Sequence, residues 1–399
     1  MNDLENYRNI VENIFSQEFK IPVSDNTNNC IGALNHYDSF HVFRENFIER
    51  LKRLYVYYEK KPEVIDEILT TLKNIGIKKG YKWSGGYSEL VALDYWIQYN
   101  NLLNIDFQIK DKKDLYDHSI AKLIGQRELD LDMALDFSSF RVYMDVKSFL
   151  PTHVELSDRI FEILKSKTNR NNFLINVDEI YDVDYLELNS GLKQEIKSGY
   201  LVNELVKCID SNETYFNYKL KSGRDLKIRI AYSGKGKGAM LSTTRIIDPY
   251  RLAMDYKYKV LDYYNKFIFN DAFFLVFVIN PWFNNEITEF YNNNETFYRS
   301  LARRVFIELV NDNQNMDKFN DEFTGKSIRV CDIVSLISGI VFIEDKSITL
   351  KGNDVYKVYF YTNPNAKNKR VKRFDFDILR WSHLAKQPSI VEDFEFDNY

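Results

Sequence analysis

Cysteine, histidine, proline and glycine are all scarce in this chain, at 3, 5, 7 and 15 of 399 residues, and the shortages narrow the classes of function. Cys30, Cys208 and Cys331 are odd in number and far apart, so neither a disulfide framework nor a cysteine zinc motif is indicated. His36, His41, His118, His153 and His383 show no pairing at zinc-ligand or general-base spacing and read as structural or exposed. No apolar run approaches the ~20 residues of a membrane-spanning helix. The longest, residues 272–279 and 333–343, read instead as buried strands or pieces of core helix. There is no basic excess either. The formal net charge is −4, so any nucleic-acid contact must rest on local patches. The acidic, polar start Met1-Asn-Asp-Leu-Glu-Asn is unlike a signal peptide. No Walker A loop, Rossmann fingerprint, EF-hand or G-x-S-x-G motif is present. These absences lead us to expect a cytoplasmic protein without a membrane anchor. A bias toward Asn, Lys, Ile and Tyr points to an AT-rich, bacterial genome.

What is present is ample for a core, since 45% of residues are apolar. Residues 1–80 show helical spacing, with Phe43, Phe47, Leu51, Leu54 and Tyr58 on one stripe and Val64, Ile65, Ile68, Leu69 and Leu72 on the next. This region reads as a packing or recognition module without a catalytic pattern. Ser84-Gly-Gly-Tyr-Ser88 reads as a break and cap, with a helix beginning at Glu89 and that carboxylate in its first turn, where the helix dipole favours it. An ordinary first-turn glutamate is the simpler alternative. Strands are expected at 105–109, 173–177, 272–280 and 355–361, a hairpin at 215–232, and helices at 157–166, 250–267 and 297–309. The expected organisation is an α/β fold with a mixed central sheet flanked by helices: a helical region 1–80, a core with insertions 81–283, and a C-terminal α/β region 284–399.

The most informative stretch is Asp130-Leu-Asp-Met-Ala-Leu-Asp-Phe-Ser-Ser-Phe-Arg-Val-Tyr-Met-Asp-Val-Lys147. It alternates as a β-hairpin, and strand side chains change face with period two, so Asp145 and Lys147 share a face. A turn centred on Ser138 and Ser139 sets Asp132 opposite Asp145 and Asp130 opposite Lys147. Directly opposed residues hold their Cβ atoms about 5 Å apart. Two carboxylates so close repel unless a cation intervenes, and Mg²⁺ takes one or two carboxylates together with waters. Asp136 lies on the same face but near the turn. Asp130 competes with Asp132, because a slip of two residues would bring it opposite Asp145.

A helix with Glu89, a strand with Asp132, a turn, and a strand with Asp145-Val-Lys147 together resemble the PD-(D/E)xK nuclease superfamily, with its restriction-endonuclease-like fold. The resemblance covers residues 84–150. It extends either through the long helix at 250–267 and the strand at 272–280, or through the helix and strand at 157–177, and the sequence leaves both open. The proline that often precedes the first acid is Leu131 here. The resemblance implies a Mg²⁺-dependent endonuclease (Mn²⁺ as substitute) acting on double-stranded DNA, in the manner of a type II restriction or anti-phage defence enzyme. Asp132 and Asp145 would hold the metal, with the Val146 carbonyl as a further ligand, Glu89 binding it directly or through water, and Lys147 orienting the attacking water or stabilising the developing charge. A homodimer, or a subunit of a larger nuclease system, is expected. Backbone contacts are assigned to Lys235 and Lys237 in a glycine-rich loop, to Arg224 and Lys227 on the second hairpin with Lys219, Lys221 and Arg229, and to Lys369 and Arg370 in a basic loop. Each of these patches reads equally as a solvated surface. The alternatives are an inactive nucleic-acid-binding or assembly subunit on the same fold, and a helix-rich interaction protein. The last requires that Glu89, Asp132, Asp145 and Lys147 do not converge.

Overall fold

The computed structural model describes residues 3–21, 30–35, 37–78, 80–103, 107–110, 131–137, 141–150, 152–177, 185–221, 223, 225–233, 239–243, 249, 252–253, 256, 260, 272–282, 294–311, 319–320, 327–328, 335–363, 365–366 and 390–391. The chain divides into two compact units, one of residues 1–149 and 259–399 and the other of residues 150–258. This differs from the three-part division at 80 and 283. The N-terminal helices and the C-terminal strands share one core with the hairpin, so neither forms a body of its own.

The first unit begins with α1 (Asp3–Phe15), α2 (Cys30–Ala33), α3 (Tyr37–Tyr58), α4 (Pro62–Ile77), a short 3₁₀ turn and α5 (Ser84–Leu103). The expected apolar stripes are buried: Phe43, Phe47, Leu51, Leu54 and Tyr58 on α3, and Val64, Ile65, Ile68 and Leu72 on α4. Pro62 stands at the start of α4, where a missing N–H costs nothing. The helix that carries Glu89 begins five residues earlier than expected, so Glu89 sits in its second turn, beyond most of the dipole's reach. Tertiary packing is the reason. Gly86 lies against α4, where an added Cβ would stand 2.9 Å from the Thr71 Cγ2, so the glycine serves close helix approach and not a break.

These helices cover one face of a seven-stranded mixed sheet. Its strands are β1 (Phe107–Lys110), β2 (Met133–Phe137), β3 (Arg141–Ser148), β8 (Ala272–Ile279), β11 (Gly339–Asp345), β12 (Tyr356–Thr362) and β13 (Ile390–Val391), in that order across the sheet. β1, β2 and β3 form an antiparallel meander. β3, β8 and β11 run parallel, and all eight residues of β8 are buried, as a central parallel strand requires. This settles which later strand lies beside the hairpin: it is β8, whereas residues 173–177 belong to the other unit. The opposite face packs on α9 (Asn294–Asn311) through stacked Tyr298, Phe342 and Phe277, with Phe149 edge-on to Phe277. Two further short strands, β9 (Phe319–Asn320) and β10 (Ser327–Ile328), pair with each other.

A buried ionic network fixes α3 and α5 to the last strands. The fully buried Arg50 donates from Nε to the Tyr356 hydroxyl at 2.9 Å and from Nη2 to the Asp345 Oδ2 at 3.1 Å. On α5, Asp94 accepts from Arg53 Nε and Nη2 at 2.7 and 2.9 Å and from Gln98 at 3.0 Å. Tyr87 donates to Asp345, and its ring lies 5.1 Å from the Arg50 guanidinium. Two arginines and two aspartates balance formally, so burial leaves no net charge to solvate.

The second unit holds α6 (Thr152–Lys167), β4 (Phe173–Val177), α7 (Tyr185–Ser198), α8 (Tyr200–Asp210), β5 (Tyr215–Lys219), β6 (Asp225–Tyr232) and β7 (Met240–Thr243). Its sheet order is β5-β6-β4-β7, with β4 and β7 parallel. The expected hairpin at 215–232 is β5–β6. Its alternation buries Leu226, Ile228 and Ile230 against helices and leaves Lys227 and Arg229 exposed.

Candidate active site

The hairpin that drew attention in the sequence folds in the expected register. Met133 pairs with Met144, Ala134 with Tyr143, Leu135 with Val142 and Asp136 with Arg141. One residue further along the same ladder, Asp132 comes opposite Asp145. The even-numbered side chains Val142, Met144 and Val146 enter the helical core. Alternation therefore sends Asp145 and Lys147 to the other face.

Three groups meet at the open end of the hairpin. The Lys147 Nζ lies 2.7 Å from the Asp145 Oδ2 and 3.7 Å from the Asp132 Oδ2. Asp132 also accepts the Val146 amide at 2.7 Å, which pins its carboxylate across the strand pair. At Val146 it is thus the amide, not the carbonyl, whose contact with the acids is seen. Side-chain exposure is 0% for Asp145, 6% for Asp132 and 23% for Lys147, so the lysine faces the approach. Two buried carboxylates and one ammonium carry a formal charge of −1, which a cation would offset.

The remaining acids separate by role. Asp136 is bound to Arg141 at 2.8 Å, an ion pair across the hairpin, which removes it from the competition. Asp130 lies outside the described residues. Glu89 is half-buried and borders, with Asp132, a cleft of about 420 Å³ between α4 and α5. Among the described residues no three carboxylate, histidine or cysteine side chains are grouped to hold a metal ion, so Glu89 does not complete such a cluster. The donors the hairpin offers are two carboxylates, a set that suits a hard divalent cation keeping several waters.

Of the basic residues, Lys227 is exposed on β6, in the second unit, beside Arg229 and Lys219. Arg224, Lys235, Lys237, Lys369 and Arg370 lie outside the described residues. Sequence reasoning passed over the other wall of the cleft. Glu67, Thr71 and Asn74 on α4, and Lys78 just past its end, recur at intervals of four, three and four, a polar stripe along one side of the helix. That spacing was visible in the sequence but interleaved with the stronger apolar stripe. No helix among the described residues is long and apolar enough to cross a membrane.

No family model matches this chain. Neither the curated proteins nor the solved structures provide a match.

Proposed function

We propose that the chain is a Mg²⁺-dependent endonuclease of the PD-(D/E)xK type that hydrolyses DNA phosphodiester bonds, acting in restriction or in defence against phage. The observation that carries this reading is the convergence of Asp132 and Asp145 on the Lys147 ammonium, at 3.7 and 2.7 Å, at one end of an antiparallel hairpin. A helix-rich protein with incidental acids gives no reason for that arrangement.

In this reading Asp132 and Asp145 hold the cation through their carboxylate oxygens. Mg²⁺ would polarise the phosphoryl oxygen and lower the pKa of a bound water. Asp132 keeps its orientation through the Val146 amide. Lys147, the most open of the three, places its ammonium where negative charge develops on the phosphate. The exposed Lys219, Lys227 and Arg229 are suited to backbone phosphates, which give affinity and register without sequence choice.

The test is cleavage. Purified protein is incubated with supercoiled plasmid, phage DNA and RNA, in Mg²⁺, Mn²⁺ or EDTA. Divalent-dependent nicking or linearisation of DNA is expected. No cleavage of any substrate by folded protein would favour the binding or assembly role instead.

A further inference from the structure

The Lys147 ammonium cannot lie against Asp145 and serve a reacting phosphate at the same moment. We propose that Lys147 is a built-in competitor of the divalent cation: in the free protein its ammonium closes the acids, and the cation reaches Asp145 by displacing it. This inference rests on the nuclease reading and adds a gate to its metal site.

Three features argue for an exchange of cations and not for simple addition of a metal. The first is burial. The Asp145 side chain is 0% exposed, and its Oδ2 has essentially no accessible surface. A hydrated cation cannot touch that oxygen in this arrangement. The Lys147 Nζ lies against it at 2.7 Å, on a side chain that is 23% exposed, so the lysine stands on the solvent side of the acid. The second is charge. Mg²⁺ sits about 2.1 Å from a carboxylate oxygen, so it would take nearly the place that the ammonium holds. Two cations that close repel, whereas the acids without the ammonium carry a formal −2 and attract a divalent ion more strongly. The third is mobility. Asp132 is pinned by the Val146 amide at 2.7 Å, and Asp145 is enclosed. Lys147 carries its charge on a flexible four-carbon stem, so of the three it is the group that can swing without moving the backbone. Its contact with the Asp132 Oδ2, at 3.7 Å, is longer than a direct hydrogen bond, so one close contact, to Asp145, has to be exchanged. The displaced ammonium then becomes available to a phosphate, the role that the nuclease reading gives it.

The experiment measures Mn²⁺ binding to the protein without DNA, from the electron paramagnetic resonance signal of the free ion. Wild type is compared with Lys147→Met, which keeps the length of the side chain and removes its charge. The variant is expected to bind Mn²⁺ about tenfold more tightly or better, the factor lost when a site is open in roughly a tenth of the molecules. A second measurement uses wild type alone and carries the test if the variant fails to fold. Labelling of Lys147 by an amine-reactive reagent, followed by mass spectrometry with the exposed Lys227 as reference, should quicken when Mg²⁺ is added. Equal or weaker Mn²⁺ binding by the folded variant, or labelling indifferent to saturating Mg²⁺, overturns the gate and leaves the metal site intact. Absence of divalent binding by both folded proteins overturns the metal-dependent nuclease reading and the gate with it.

Discussion

At the scale of single residues, the account turns on Lys147. Its ammonium lies within 4 Å of both Asp132 and Asp145. Lys147→Ala leaves two nearly buried carboxylates without it, which raises the cost of ionising both. We therefore expect Lys147→Ala to unfold at a lower temperature than wild type in EDTA, and added Mg²⁺ to recover much of the difference. A calorimetric scan with and without metal checks this. A melting temperature indifferent to both changes would separate the lysine from the acids. Asp145→Asn should instead abolish Mg²⁺ binding in a calorimetric titration while leaving the fold intact. The trio was legible in the sequence because strand alternation and one turn suffice to align it. The polar stripe of Glu67, Thr71, Asn74 and Lys78 was overlooked because α4 also carries Val64, Ile65, Ile68 and Leu72, whose burial dominates its pattern.

At the scale of elements, the question is what holds α5 against the sheet. Arg50 reaches Tyr356 and Asp345 on the sheet side and lies 3.7 Å from Asp94 on α5. Arg50→Ala would take the guanidinium from the fully buried Asp345 and leave Asp94 to Arg53 alone, and removing one partner of a buried ion pair costs ~3–5 kcal/mol. Urea unfolding followed by tryptophan fluorescence measures that loss, and a cost below ~1 kcal/mol, the range of exposed pairs, would refute the network's role. The strands impose a second constraint. Gly339 opens β11 between β8 and β12, and a Cβ there would meet the Tyr361 carbonyl oxygen at 2.4 Å and a Phe274 ring carbon at 2.5 Å. Gly339→Ala is thus expected to destabilise by ~1–3 kcal/mol through overpacking. The element types at 43–58, 62–72, 173–177 and 297–309 followed from apolar pattern, and that at 272–280 from an unbroken apolar run ended by Pro281. The start of α5 did not, because Gly85 and Gly86 weaken a helix locally; contact with Thr71 explains Gly86, and Gly85 has nothing packed against it.

At the scale of the whole molecule, the sequence concealed how the units divide. β3 and β8 are adjacent in the sheet but separated by the entire second unit, and nothing in local composition signals an inserted body. The first unit also buries many tyrosines. Burial pushes the hydroxyl pKa of Tyr7, Tyr87, Tyr95, Tyr298 and Tyr356 well above the ordinary 10.0. In the folded state these groups keep their protons where the unfolded chain has lost them, so unfolding releases protons and stability falls as pH rises past about 10. Absorbance of tyrosinate near 295 nm should therefore rise in two stages, with a late, cooperative step that coincides with loss of circular dichroism. A single stage near pH 10 would show that these hydroxyls are reachable in the native protein. The central claim concerns what the assembled unit does, and single-turnover cleavage by wild type and Lys147→Ala on one mapped DNA site tests it most directly. With Mg²⁺ binding matched, the account predicts a rate loss of at least ~10²-fold, the scale of removing one charge-stabilising group. Equal rates for the two proteins would contradict it.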